Sequence, residues 1–113
     1  MKSINQRIDQ LLVEAIEEVL SFLGEPVKNQ VFAQLEKDLS ITQAKLPERI
    51  EDFSRFLYRF FGSHAKLVEI DCVKAFYSKV KENPEIVKTN LVPIAEDFTL
   101  PSYVNKFRKI NMI

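Results

Sequence analysis

Apolar residues recur at three-and-four spacing from Ile4 to Leu23, at Ile4, Ile8, Leu11, Leu12, Ala15, Ile16, Val19, Leu20 and Leu23. That spacing predicts one long amphipathic helix. Ser3 with Gln6 has the form of a capping box at its start, and Gly24 falls where a left-handed C-terminal cap would lie. Pro26 suits the first position of a second helix, whose face of Val27, Val31, Phe32 and Leu35 runs to about Leu39. The period lapses over residues 40–47, where Pro47 disfavours helical geometry at Leu46. This stretch reads as a connector holding one short turn near Thr42.

The period then returns. Ile50, Phe53, Leu57, Phe60 and Phe61 fall on one side of a third helix, while Glu51, Arg55 and Arg59 climb the other at four-residue steps. An ion pair between Glu51 and Arg55 is expected, Gly62 ends the helix, and Ser63 is placed to cap a fourth. The fourth helix carries Ala65, Leu67, Val68, Ile70, Cys72, Val73, Ala75, Phe76, Tyr77 and Val80. Its polar stripe, Asp71, Lys74, Ser78 and Lys81, is narrow, so the helix needs neighbours on most sides. Beyond Asn83, Pro84, Pro93 and Pro101 divide the chain into short pieces. A helix beginning within residues 84–91 and a short one from about Ser102, with Tyr103, Phe107 and Ile110 on one side, are expected.

The sum is an all-α domain, four-helix orthogonal or bundle-like, with a short C-terminal helical tail. One domain spans residues 1–113, its core at 3–82 and its extension at 83–113. Nine Phe and three Tyr among 113 residues, 46% of them hydrophobic, supply enough apolar mass to fold, which argues against disorder. Sixteen Lys and Arg against 16 Asp and Glu leave a formal charge of zero, which removes the global attraction that nucleic-acid or anionic-membrane binding uses. Asp9, Glu14, Glu17 and Glu18 interrupt every window that could serve as a secretion signal, and no uncharged run approaches the ~20 residues of a membrane span. Cys72 stands alone, so no intrachain disulfide can form, and a cytoplasmic, reducing compartment is expected.

Candidate chemistry is sparse. His64 and Cys72 lie eight residues apart on one predicted helix, roughly 12 Å at its rise, too far for a thiol–imidazole pair. Ser63 and His64 are neighbours that do not face each other, and no strand-to-helix elbow precedes them. Neither zinc ligation nor a phosphate loop can be assembled from one His, one Cys and two isolated glycines. Glu14, Glu17 and Glu18 read as a solvated helix face. No catalytic residue, metal ligand or cofactor is therefore expected.

A surplus of hydrophobic surface points instead to contact with another protein or with a second copy. Helices one and four are the expected interface, with Leu67, Ile70, Val73 and Tyr77 as its residues, unless the tail after Asn83 covers them. Two alternatives come from other classes. One is a nucleic-acid accessory protein using Arg55, Arg59, Lys106, Arg108 and Lys109. The other is a small-ligand sensor with an apolar, Phe-lined pocket between helices three and four.

The run Phe22-Leu23-Gly24, Val27, Val31, Leu35-Glu36-Lys37, Leu46-Pro47-Glu48, Phe53, Phe61-Gly62, Ala65-Lys66 and Glu69-Ile70 resembles the archaeal Nitrosopumilus-type output domain family. The resemblance covers residues 20–80, with Phe-Gly-x-x-Ala-Lys as its most specific piece. It departs at Ser40, where that pattern carries a glycine, and in the long segment after Asn83. The resemblance implies a small helical module with a binding or output role in an archaeal cytoplasm and carries no catalytic residues with it.

Overall fold

The computed structural model describes residues 4–83 and 99–111, with the side chains of 4, 5, 110 and 111 excepted. Within them the chain forms α1 (Ile4–Phe22), α2 (Glu25–Leu39), α3 (Ile50–Phe61), α4 (Ala65–Glu82) and α5 (Leu100–Asn111), with short 3₁₀ turns at Gln43–Lys45 and Gly62–His64. The described residues contain no strand, and the all-α class holds. The helix expected to begin within residues 84–91 lies outside the described residues, as does the side chain of Ile110.

Helix α4 is the hub. Ala65, Val68, Cys72, Val73, Phe76 and Val80 are buried on it, and α1, α3 and α5 all pack against it. Helix α1 makes the most extensive packing and runs antiparallel to α4: Glu18 bonds Lys79 at 2.9 Å, while Val19 to Leu23 lie beside Asp71 and Ala75. Its stripe from Ile8 to Leu20 is buried, as the spacing requires. Helix α2 packs on α1 and α3 through Val31 and Leu35.

Helix α5 covers the side of α4 that carries Phe76. Phe76 meets Tyr103 and Phe107 edge-on, with ring centroids 6.2 and 5.5 Å apart. Arg108 anchors the same helix from its polar side, donating to Asp9 on α1 at 2.7 Å and to the Pro47 carbonyl at 3.2 Å. This helix starts earlier than Ser102. Thr99 caps it by accepting the Ser102 backbone N–H on its hydroxyl at 3.2 Å, and Pro101 sits in the first turn, where its missing N–H costs nothing. Pro101 is thus part of the helix it was expected to exclude.

Other local expectations need correction. Gly24 has φ 120° and ψ 142°, an extended positive-φ conformation rather than a left-handed helical one, and it serves as the N-cap of α2. Helix α2 begins one residue before Pro26. Ser63 does not cap α4: the chain passes from Gly62, at φ 59°, through a 3₁₀ turn, and no side chain caps the helix start. Arg55 pairs with Asp52 at 3.1 Å rather than with Glu51, because Asp52, flanked by Arg49 at 2.8 Å, sits one turn away on the same side. The Arg49 hydrogen bond, with Arg55 beside it, holds the Asp52 carboxyl below its ordinary range.

Ser40 ends α2 in the left-handed conformation, φ 55° and ψ 35°. Its N–H bonds the Glu36 carbonyl at 3.1 Å, and the Ile41 N–H bonds the Leu35 carbonyl at 3.2 Å. These nested bonds satisfy carbonyls the helix would otherwise leave open and drop Ile41 into the core. A left-handed non-glycine residue costs about 1–2 kcal/mol, whereas glycine forfeits only about 0.4–1 kcal/mol through its freer unfolded chain. Ser40→Gly is therefore expected to stabilise the fold by roughly 0.5–1 kcal/mol, read from urea unfolding midpoints. Burial pushes the Tyr103 hydroxyl up to about 12, so its contribution is complete below pH 10 and is lost as pH climbs through about 12. Tyr103→Phe should reduce the alkaline loss of stability in unfolding curves recorded from pH 9 to 12, leaving the shares of Tyr58 and Cys72.

Candidate functional site

The four residues expected at an interface separate into two environments. Val73 is in the core at 1% exposure, and Ile70 and Tyr77 are half-buried, Tyr77 packing against the core on the flank of α4 that neighbours Tyr103. Leu67 remains at the surface, 62% exposed. The physical reason is helical phase. Leu67, Asp71, Lys74 and Ser78 form one outward line at steps of four, three and four, and all are exposed, whereas Val73 points about a third of a turn away, into the bundle.

Next to that line the end of α1 leaves Phe22 92% exposed and Leu23 42% exposed. The periodic reading placed Leu23 on the buried face, but α1 stops at Phe22 and the chain turns before that face is completed. Phe22 and Leu23 border a shallow cleft of about 280 Å³ whose other walls are Glu18, Val19, Asp71 and Ala75. Glu18 is engaged with Lys79. Asp71 and Lys74 have no hydrogen bond or ion pair among the described residues. A large unsupported aromatic ring beside an open cleft, with Leu67 one turn away along α4, is the clearest exposed apolar feature of the described surface.

A second feature escaped the sequence reading. Glu69 is completely buried between α3 and α4, with Ser54 Oγ donating to one carboxylate oxygen at 2.5 Å and Tyr58 OH to the other at 3.2 Å. Among the described residues no Lys, Arg or His pairs with it. Its position was legible: Ala65, Glu69, Cys72 and Phe76 follow one another at four, three and four, the most deeply buried line of α4. Ser54 likewise follows Ile50 and Phe53 on the inner face of α3. Desolvation, with the Glu69 charge and hydrogen bond behind it, raises the Tyr58 hydroxyl above its ordinary value. Two hydroxyls converging on a carboxylate, with no imidazole near them, make a clamp between helices; His64 is exposed in the turn before α4.

Arg55 and Arg59 border one cleft together, with Leu39, Asp52 and Tyr58 as its other walls. Arg55 and Arg108 border another, with Asn105, but Glu48, Glu51 and Asp52 line it too and balance the charge of Arg49, Arg55 and Arg108. Arg108 is committed to Asp9 and Pro47. Arg59, Lys106 and Lys109 are exposed. Where an apolar, Phe-lined ligand pocket between α3 and α4 was expected, Phe53 and Phe56 are packed into the core. Cys72 is fully buried, and that burial pushes its thiol far above the ordinary range, leaving it a small inert core residue. Among the described residues no three His, Cys, Asp or Glu side chains gather as a metal site, and no helix is long and apolar enough to cross a membrane.

No family model, curated protein or solved structure matches this chain.

The clamp makes an ordered set of predictions. Ser54→Ala strips a buried charged acceptor of its short bond and should cost about 1.5–3 kcal/mol. Tyr58→Phe removes a longer bond from a half-exposed ring and should cost about 0.5–1 kcal/mol. Denaturant unfolding of both variants checks the order, and equal costs would assign the two hydroxyls equal weight.

Proposed function

We propose that this chain is a non-enzymatic protein-interaction module that docks through the end of the α1–α4 pair, where Phe22 and Leu67 are exposed. The observation that carries the reading is Phe22, at 92% exposure. A Phe side chain is worth on the order of 1.5–3 kcal/mol when removed from water, and the adjoining cleft gives a partner somewhere to seat against it. The chemistry of the described residues supports the same view, since Ser54 and the Glu69 carboxylate it bonds are both buried away from any substrate.

The setting we propose rests on the resemblance over residues 20–80 alone: an output module working in an archaeal cytoplasm. Its partner is a protein, either another chain or a second copy of this one, and it needs no cofactor.

The experiment pairs the wild-type chain with Phe22→Asp/Leu67→Asp, each produced at native level in its own cells and recovered after brief crosslinking. Wild type is expected to bring down a defined protein set, itself included, that the variant loses. Both substituted positions are solvent-exposed, so the variant's unfolding free energy should stay within about 0.5 kcal/mol of wild type. Equal recovery by both chains, or recovery of nothing by either, would overturn the reading.

A further inference from the structure

The outward line of α4 carries its own complement. Asp71 and Lys74 stand one turn apart on that line, both exposed and neither paired among the described residues. Flanking residues on the same element do not neutralise them: Asp71 is three residues from Lys74 and forms no ion pair with it, and the nearest acid on α1, Glu18, is held by Lys79. An unmatched acid and an unmatched base at i and i+3 are what an antiparallel copy of the same helix would satisfy. A two-fold axis midway between them sets Asp71 of each subunit opposite Lys74 of the other, so a single operation makes two ion pairs.

The apolar part of the face has the same self-complementary form. Phe22 is a projecting side chain, and the cleft bounded by Glu18, Val19, Leu23, Asp71 and Ala75 is a recess beside it. Asp71 is common to the recess and to the charged line, which ties the two features to one axis. The rotation that pairs the charges brings the projecting ring of one subunit toward the recess of the other. An outward line with one acid and one base favours neither a uniformly basic nor a uniformly acidic partner. A stable interface at the small end of the range needs roughly 600 Å² from each subunit. That is under a tenth of the 6921 Å² surface of the chain.

We infer that the partner at this face is a second copy of the chain, joined as a two-fold dimer through antiparallel α4 helices with reciprocal Asp71–Lys74 pairs and Phe22 seated in the opposing cleft. This rests on the interaction reading above and adds to it the partner and the geometry.

Sedimentation equilibrium over a micromolar to millimolar concentration series tests it, with Asp71→Lys, Lys74→Asp, the double exchange and Phe22→Asp beside wild type. Wild type is expected to dimerise, and Phe22→Asp to weaken the dimer on the order of 100-fold. Each single charge reversal sets like charges across the axis and should weaken it by roughly tenfold, while the double exchange restores it. Leu67→Asp, at the edge of the same face, serves if Phe22→Asp fails to fold. A dimer abolished by Phe22→Asp but indifferent to the charge reversals overturns the α4 geometry and leaves the interaction reading standing. A double exchange that fails to restore association also overturns that geometry. A wild-type chain monomeric throughout overturns self-association, and the crosslinking pair above then decides separately whether another protein uses the face.

Discussion

Helix α4 is apolar around most of its circumference, and that one property determines where every other helix goes. Six of its side chains are buried hydrophobes or the Cys72 thiol, each worth about 1.5–3 kcal/mol for the larger ones when withdrawn from water. A domain whose net stability is on the order of 5–15 kcal/mol cannot leave such a surface wet. Helix α1 covers one sector, α3 a second, and α5 a third through Tyr103 and Phe107 on Phe76. What the neighbours leave is the line of Leu67, Asp71, Lys74 and Ser78, and the exposed end of α1 lies beside it. The proposed interface is thus the remainder of a packing problem solved on the other sides.

Glu69 sits within that apolar girth and changes what the packing can tolerate. Hydrophobic surfaces slide against each other at modest cost, because one methyl contact replaces another. A buried carboxylate does not slide, since moving α3 by one turn would take Ser54 away and leave the charge without its short hydrogen bond. Ser54 and Tyr58 lie four apart on α3, so both hydroxyls reach Glu69 from one helix face. The clamp therefore fixes the register of α3 on α4 in a way that the surrounding Phe and Val contacts do not.

The extents of α2 and α3, the end of α1 near Gly24 and the short turn after Thr42 were legible because each follows from periodicity broken by Pro, Gly or a polar run. Capping was less so. Gly24 closes nothing as a left-handed cap, while Ser40 takes the left-handed role that a glycine was expected to fill, because backbone bonding at a helix end depends on where the chain must go next. The start of α5 was misplaced at Ser102 because Pro101 was read as a breaker, although a proline in the first turn needs no hydrogen-bond partner. The interface residues were only partly legible. A helix apolar around most of its circumference has only a narrow polar stripe to mark its outer side, so Val73 and Leu67 looked alike until α1, α3 and α5 were in place. Glu69 was readable from its spacing with Cys72 and Phe76, but a single charge in a long apolar run is easily passed over.

The bond between Arg108 and Asp9 joins positions 99 residues apart. Bringing such distant segments together costs chain entropy that rises with the logarithm of the intervening length, and nothing in α5 offsets that cost before its docking surface exists. Part of that surface is Phe76 on α4, and the latch needs both α1 and the Pro47 carbonyl in place. Helix α5 therefore docks on a surface that α1, α4 and the turn at Pro47 must assemble first, and its undocking leaves the α1–α4 packing intact. Each such opening uncovers the aromatic side of α4 while the α1–α4 pair stays assembled, so the time the chain spends with α5 undocked sets how often that side is offered to proteases and chaperones.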